Sequence, residues 1–197
     1  MTTRFVSVYT FLLGGLAAVM FVPVTAMAIK PGDLVTSPEL RDANDAPSTL
    51  PDLGNKVLAI FYTDADVADL NDPLADAIKA KAFDEAFYRG LGVANLADSK
   101  APNFLIRKII RGKIEKYKST ILTDPDRVLP AAWELGDCNN TSVFVLIGKD
   151  KRVKRIQSGA IRGADIDAIV ELITGLIKED AQAAAAAAPA AATPATP

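Results

Sequence analysis

The chain contains one cysteine, Cys138, and no histidine. With a single cysteine there is no intramolecular disulfide and no Cys-x-x-Cys redox pair. Without histidine there is no Ser-His-Asp or Cys-His nucleophile, none of the common zinc sites and no imidazole acid–base chemistry. A reactive thiol needs a nearby cation or a helix N-terminus to depress its pKa. The neighbour of Cys138 is Asp137, which pushes the other way. Cys138 is therefore read as an inert thiol. The alternative is an enzyme using Cys138 in thiol exchange or peroxide reduction, and an unpaired thiol could also form an intermolecular disulfide.

Carboxylates are the other candidates. Asp64, Asp66, Asp69 and Asp72 form the densest acidic cluster in the chain, and carboxylate oxygens bind hard cations such as calcium. The spacing is not that of an EF-hand loop counted from Asp64, because Ala68, Asp69 and Ala75 stand at the fifth, sixth and twelfth positions. Helix capping is the preferred reading, worth roughly 0.5–2 kcal/mol for a good cap. A metal site at Asp64, Asp66 and Asp69 is the alternative, and no cofactor is expected. Positive charge gathers at Arg107, Lys108, Arg111, Lys113, Lys116 and Lys118, with Glu115 the one acid among them, and again at Lys149, Lys151, Arg152, Lys154 and Arg155. Solvated surface is the plainer reading of both. If the two adjoin, they would attract an anionic partner such as lipid headgroups or an acidic protein. The net charge of −2 and the lack of interleaved aromatics argue against nucleic acid.

Elements must position these groups. The apolar run from Lys56 to Thr63 predicts a strand covered on both faces. Asp72-Pro73 reads as a helix cap and first turn, with Leu74, Ala77, Ile78 and Ala82 on one face. A strand is expected over Gly92 to Leu96, then a helix opened by Pro102 with Ile106, Ile110, Ile114 and Tyr117 as its stripe. Ser119 to Leu122 predicts a third strand, closed by the turn Asp124-Pro125-Asp126. Ser142 to Ile147 and Arg152 to Gln157 should form a hairpin. Ile166, Ile169, Val170, Ile173 and Ile177 mark a last helix. The order β-α-β-α-β-β-α implies an α/β fold with parallel crossovers and one antiparallel hairpin, the thioredoxin arrangement. Ligands of such sheets bind beyond the carboxyl ends of the parallel strands. That rim should hold Asp64 and Asp66, then Asp98 and Asp124, with Asn139, Asn140 and Thr141 beside it.

Three segments follow. Arg4, the apolar stretch Phe11 to Val24 and the small-residue box Ala26-Met27-Ala28 are the parts of a secretory signal peptide. The stretch is shorter than the ~20 residues of a spanning helix and contains Pro23, so cleavage after Ala28 should release a soluble protein. Residues 29–180 are read as one domain. Residues 181–197 read as a flexible Ala/Pro tail, in which Ala183 to Ala188 could briefly extend the helix before Pro189 stops it. Trp133 is expected to pack in the core.

The ordered set Ala132-Trp133-Glu134-Leu135, Ser142-Val143-Phe144-Val145-Leu146, Lys149-Asp150-Lys151-Arg152-Val153 and Gly159-Ala160 resembles the YtfJ family, exported bacterial proteins of the thioredoxin-like superfamily. The likeness runs from near Gly54 through the last helix. Members are often labelled transcriptional regulators, which an export signal would separate from DNA. Phe61-Tyr62-Thr63 is also similar to peroxiredoxin-type relatives, which keep a reactive cysteine in the first helical turn beyond that strand. The corresponding stretch here, Asp64 to Asn71, has no thiol. The resemblance thus implies the fold without disulfide or peroxidase chemistry. A complete fold pattern joined to missing catalytic residue types, behind an export signal, is read as a non-catalytic periplasmic binding module whose partner is an envelope protein or small ligand.

Overall fold

The computed structural model describes residues 28–187. The cleavage pattern up to Met27 and the tail from Ala188 onward lie outside the described residues. Twelve elements follow in order. Strands β1 (Leu40–Arg41) and β2 (Pro47–Ser48) precede β3 (Val57–Asp64), a 3-10 turn (Ala65–Val67), α1 (Asp72–Ala80), β4 (Tyr88–Asn95) and α2 (Asn103–Tyr117). Then come β5 (Thr120–Asp124), α3 (Val128–Trp133), β6 (Ser142–Ile147), β7 (Val153–Ser158) and α4 (Ala164–Ala187).

The strands form a single seven-stranded sheet in the order β2-β1-β5-β4-β3-β6-β7. β3, β4 and β5 run parallel, while β6 lies antiparallel to β3 and β7 antiparallel to β6. The expected crossovers and hairpin are therefore present. On one face Leu58, Ile60, Tyr62, Leu91, Val93, Leu122, Val143 and Val145 pack under Val35, Leu40, Leu50, Leu129 and Trp133. On the other, Val57, Ala59, Phe144 and Leu146 meet Leu74 and Ile78 of α1 and Ile169, Val170 and Ile173 of α4. α2 covers the rest of that second face through Ile106 and Ile110. Burial on both faces is why β3 and β6 are continuous apolar runs.

Several boundaries differ from the sequence expectation. The lead before β3 carries a small hairpin, β1–β2, whose Arg41 pairs with Thr123 of β5. β4 begins at Tyr88 rather than Gly92 and ends at Asn95. Asn71, not Asp72, is the residue before α1, and its side chain makes no capping bond. That side chain instead donates to the Gly159 carbonyl (3.1 Å) and accepts from the Ile161 amide (2.9 Å), tying the start of α1 to the β7–α4 connection. α1 stops at Ala80, short of Ala82, whose φ of +46° is left-handed. The short helix α3 was not foreseen, and α4 continues through exposed alanines to Ala187, past the Asp180 boundary.

Candidate functional site

The parallel strands end on three polar residues in one row. Asp64 pairs with Asn95 and Asn95 with Asp124 across β3, β4 and β5. All three are fully buried. In-register neighbours of a parallel sheet project to the same face, which here is the Tyr62 face. Each side chain secures the loop that leaves its strand. Asp64 accepts from the amides of Asp66 (3.0 Å) and Asn140 (2.7 Å). Asn95 accepts from the amides of Ala97 (3.0 Å) and Asp98 (3.4 Å) and donates to Asp98 Oδ2 (2.6 Å). Asp124 accepts from the amides of Asp126 (3.2 Å), Val128 (2.9 Å) and Leu129 (2.9 Å), and from the Tyr62 hydroxyl (3.3 Å). Burial, reinforced by Asp124, pushes the Tyr62 phenol well above its ordinary range, so it stays protonated and donates.

The remaining expected rim residues stand around this row. The Asp64 amide donates to the Thr141 carbonyl (3.0 Å), which brings the Asn139–Thr141 segment to the end of β3 as expected. Asn139 and Asn140 are exposed and bond each other, Asn140 Nδ2 donating to Asn139 Oδ1 (3.1 Å). Asp66 accepts from the Ser99 hydroxyl (2.6 Å) and the Lys100 amide (3.3 Å), and these bonds hold its carboxyl below the usual range. Asp98 is paired with Arg127, and the hydrogen bond from that guanidinium, with help from Asn95, lowers its pKa as well. Asp69 is exposed and lies apart from these bonds.

The metal reading does not fit this geometry. Asp64 spends both oxygens on main-chain amides and Asp66 spends both on the 99–100 loop. Among the described residues, no three His, Cys, Asp or Glu side chains converge on a point that could hold an ion. Asp64 and Asp66 are hydrogen-bonding groups that order turns, and Asp64 caps the 3-10 turn.

Cys138 lies within the apolar cluster at 4% exposure. Its Sγ approaches the Gly136 carbonyl at 3.7 Å. Burial, then the charges of Asp137, Asp98 and Asp124, push the thiol up to about 11 against a smaller opposing effect of Arg127. Such a thiol is almost wholly protonated at neutral pH and poorly nucleophilic. What the rim can present to a ligand is the exposed amides of Asn139 and Asn140 and the largely exposed Arg127 guanidinium.

Three residues of this arrangement, Asn95, Tyr62 and Arg127, are not among the site residues expected from sequence. Asn95 was passed over for Asp98, although Asn followed three residues later by Asp at a strand end is a local turn signal. Tyr62 reads as part of an apolar run and of the Phe61-Tyr62-Thr63 likeness, not as a hydrogen-bonding group, and its partner lies 62 residues away.

A family profile described as "Bacterial protein of unknown function (YtfJ_HI0045)" matches residues 52–176. The chain belongs to this family. A Haemophilus influenzae protein described as uncharacterized is 25% identical to this YtfJ-family chain over 131 residues, 64% of this chain and 70% of that one. Among solved structures, a Chlorobium tepidum protein assigned as thiol:disulfide interchange protein DsbE superposes with a TM-score of 0.58 at 16% identity, covering 76% of this chain and 99% of that chain. A peroxiredoxin-like protein of Aquifex aeolicus gives 0.55 at 13% identity, covering 77% and 90%. A thiol-disulfide isomerase of Corynebacterium glutamicum gives 0.54 at 13% identity, covering 74% and 96%. At these identities the likeness shows the fold: this YtfJ-family domain is thioredoxin-like.

Proposed function

We propose that this YtfJ-family protein is an exported, periplasmic module that uses a thioredoxin-like fold to bind an envelope protein or small ligand, without redox catalysis. The observation that carries the reading is the buried Cys138 with its raised pKa, joined to a first-strand exit sealed by Asp64 and lacking any thiol. A thioredoxin-like frame without an accessible thiolate keeps its rim of loops and loses the group that would attack a disulfide or peroxide. Binding then falls to the exposed donors of Asn139, Asn140 and Arg127. Export is supported by the Arg4, Phe11–Val24 and Ala26-Met27-Ala28 pattern. The Ile29 amide donates to the Trp133 carbonyl (3.2 Å), so the residue that cleavage would leave first is docked on the domain. No helix among the described residues is long and apolar enough to cross a membrane.

The test has two arms. Cell fractionation with N-terminal sequencing should find the protein in the periplasm beginning at Ile29, and an intact N-terminus in the cytoplasm would refute export. Insulin reduction and peroxide turnover by the purified chain should equal the buffer blank. Turnover that disappears in Cys138→Ser would instead establish a single-cysteine enzyme.

A further inference from the structure

The outward side of α2 differs from an ordinary solvated helix face. Phe104, Leu105 and Ile109 are 74, 43 and 55% exposed, while Ile106 and Ile110 face the core. At about 100° per residue, Phe104, Leu105 and Ile109 share the side away from Ile106 and Ile110 with Lys108 and Lys116, and exposed Lys113 stands at its margin. The two arginines of the helix are engaged elsewhere: Arg107 pairs with Asp45 (2.6 Å) and Arg111 donates to the Ala43 carbonyl (2.7 Å). Lys108, Lys113 and Lys116 enter no ion pair among the described residues. Glu115, the one acid on the helix, is exposed on this same outward side, between Phe104 and Lys108 at that spacing. The charged hairpin does not join this patch. β4 and β3 separate β5, which α2 contacts, from β6–β7, and Lys154 and Arg155 are paired with Asp150 and Asp165.

We propose that the outer face of α2 docks the protein on an anionic lipid bilayer. The helix would lie parallel to the surface, with Phe104, Leu105 and Ile109 entering the interface and Lys108, Lys113 and Lys116 meeting headgroup phosphates. Two observations select this occupant. The face is the convex side of a helix, which fits a plane better than an inserted peptide. It is basic on a chain whose net charge is −2, so its attraction is to a concentrated anionic surface. The face is distinct from the strand-end rim, so its test stands apart from the turnover test above.

Phe104→Trp in the full chain supplies a local probe, since Trp133 is buried and its emission serves as a constant background. On vesicles of phosphatidylcholine mixed with phosphatidylglycerol, the emission of the introduced indole should shift to the blue and be quenched by brominated lipid. Neither change should occur on phosphatidylcholine alone, and added salt should weaken both. Each of Lys108→Gln, Lys113→Gln and Lys116→Gln should lower partitioning about fivefold. Ile109→Ser in the otherwise native chain should lower co-sedimentation with the same vesicles. Unchanged emission of the introduced indole on anionic vesicles would overturn the proposal, even if the chain pellets with them through another segment. So would equal binding to neutral vesicles, or a blue shift produced by a soluble polyglutamate peptide and not by lipid, which would assign the face to an acidic protein.

Discussion

Asp124 shows what a buried carboxylate does in this molecule. Its two oxygens take three main-chain amides and the Tyr62 hydroxyl, so removing it orphans donors at the start of α3. Asp124→Ala should therefore cost about 2–4 kcal/mol in urea unfolding, combining a lost cap with unsatisfied buried amides. Asp124→Asn, which keeps one acceptor, should cost less. Asp98 gives a pH-dependent counterpart. Its pKa is lowered in the folded state, chiefly by the Arg127 hydrogen bond, so its contribution is present above the unfolded value near ~4 and is lost as pH falls through the lower folded value. Stability measured from pH 5 downward should fall more steeply in the native chain than in Asp98→Asn. An identical slope would remove the pair from the stability balance. At this scale the sequence was partly legible. Asp64 and Asp124 stood where expected because strand ends and Asp-rich turns are local signals, whereas the Tyr62–Asp124 bond depends on the alignment of β3 with β5 through β4.

Among the elements, the long continuous ones were readable and the short ones were not. β3 and β6 are apolar on both faces, and the β6–β7 turn declares itself through Gly148 to Asp150. α3 has only six residues, contains Pro130 and draws its first-turn acceptors from Asp124, so no periodicity announced it. β1 and β2 are two residues each and are ordered by the pairing of β1 with β5 and by Arg107 and Arg111 of α2, which hold Asp45 and Ala43 in the turn between them; these are tertiary causes. The position of α1 likewise depends on a long-range tie. Asn71 is buried and bridges the Gly159 carbonyl and the Ile161 amide. Asn71→Ala leaves both groups without that partner and should cost about 2 kcal/mol, read as a lowered urea midpoint with an unchanged m-value. A loss below about 0.5 kcal/mol would mean that water replaces the amide without penalty.

At the scale of the whole molecule, the domain keeps the thioredoxin-like frame of proteins whose names include thiol-disulfide isomerase and peroxiredoxin-like protein. Its sheet order and parallel exits are intact, and the exits are closed by Asp64, Asn95 and Asp124. The overall frame was legible because alternating elements with few short connections admit few topologies. The absence of a redox pair was legible by counting cysteines. The burial of Cys138 was not, since its sequence neighbours Asp137, Asn139 and Asn140 are all exposed and only the packing of α3 and the sheet encloses it. Everything proposed for binding at the rim rests on that thiol being chemically silent. The most direct measurement is the rate of iodoacetamide alkylation of Cys138 in the folded chain as a function of pH. Slow labelling at neutral pH, rising only as pH approaches about 11 and becoming rapid on denaturation in urea, is the expected result. Fast, stoichiometric labelling of the folded protein below pH 7 would contradict it and return Cys138 to the role of nucleophile.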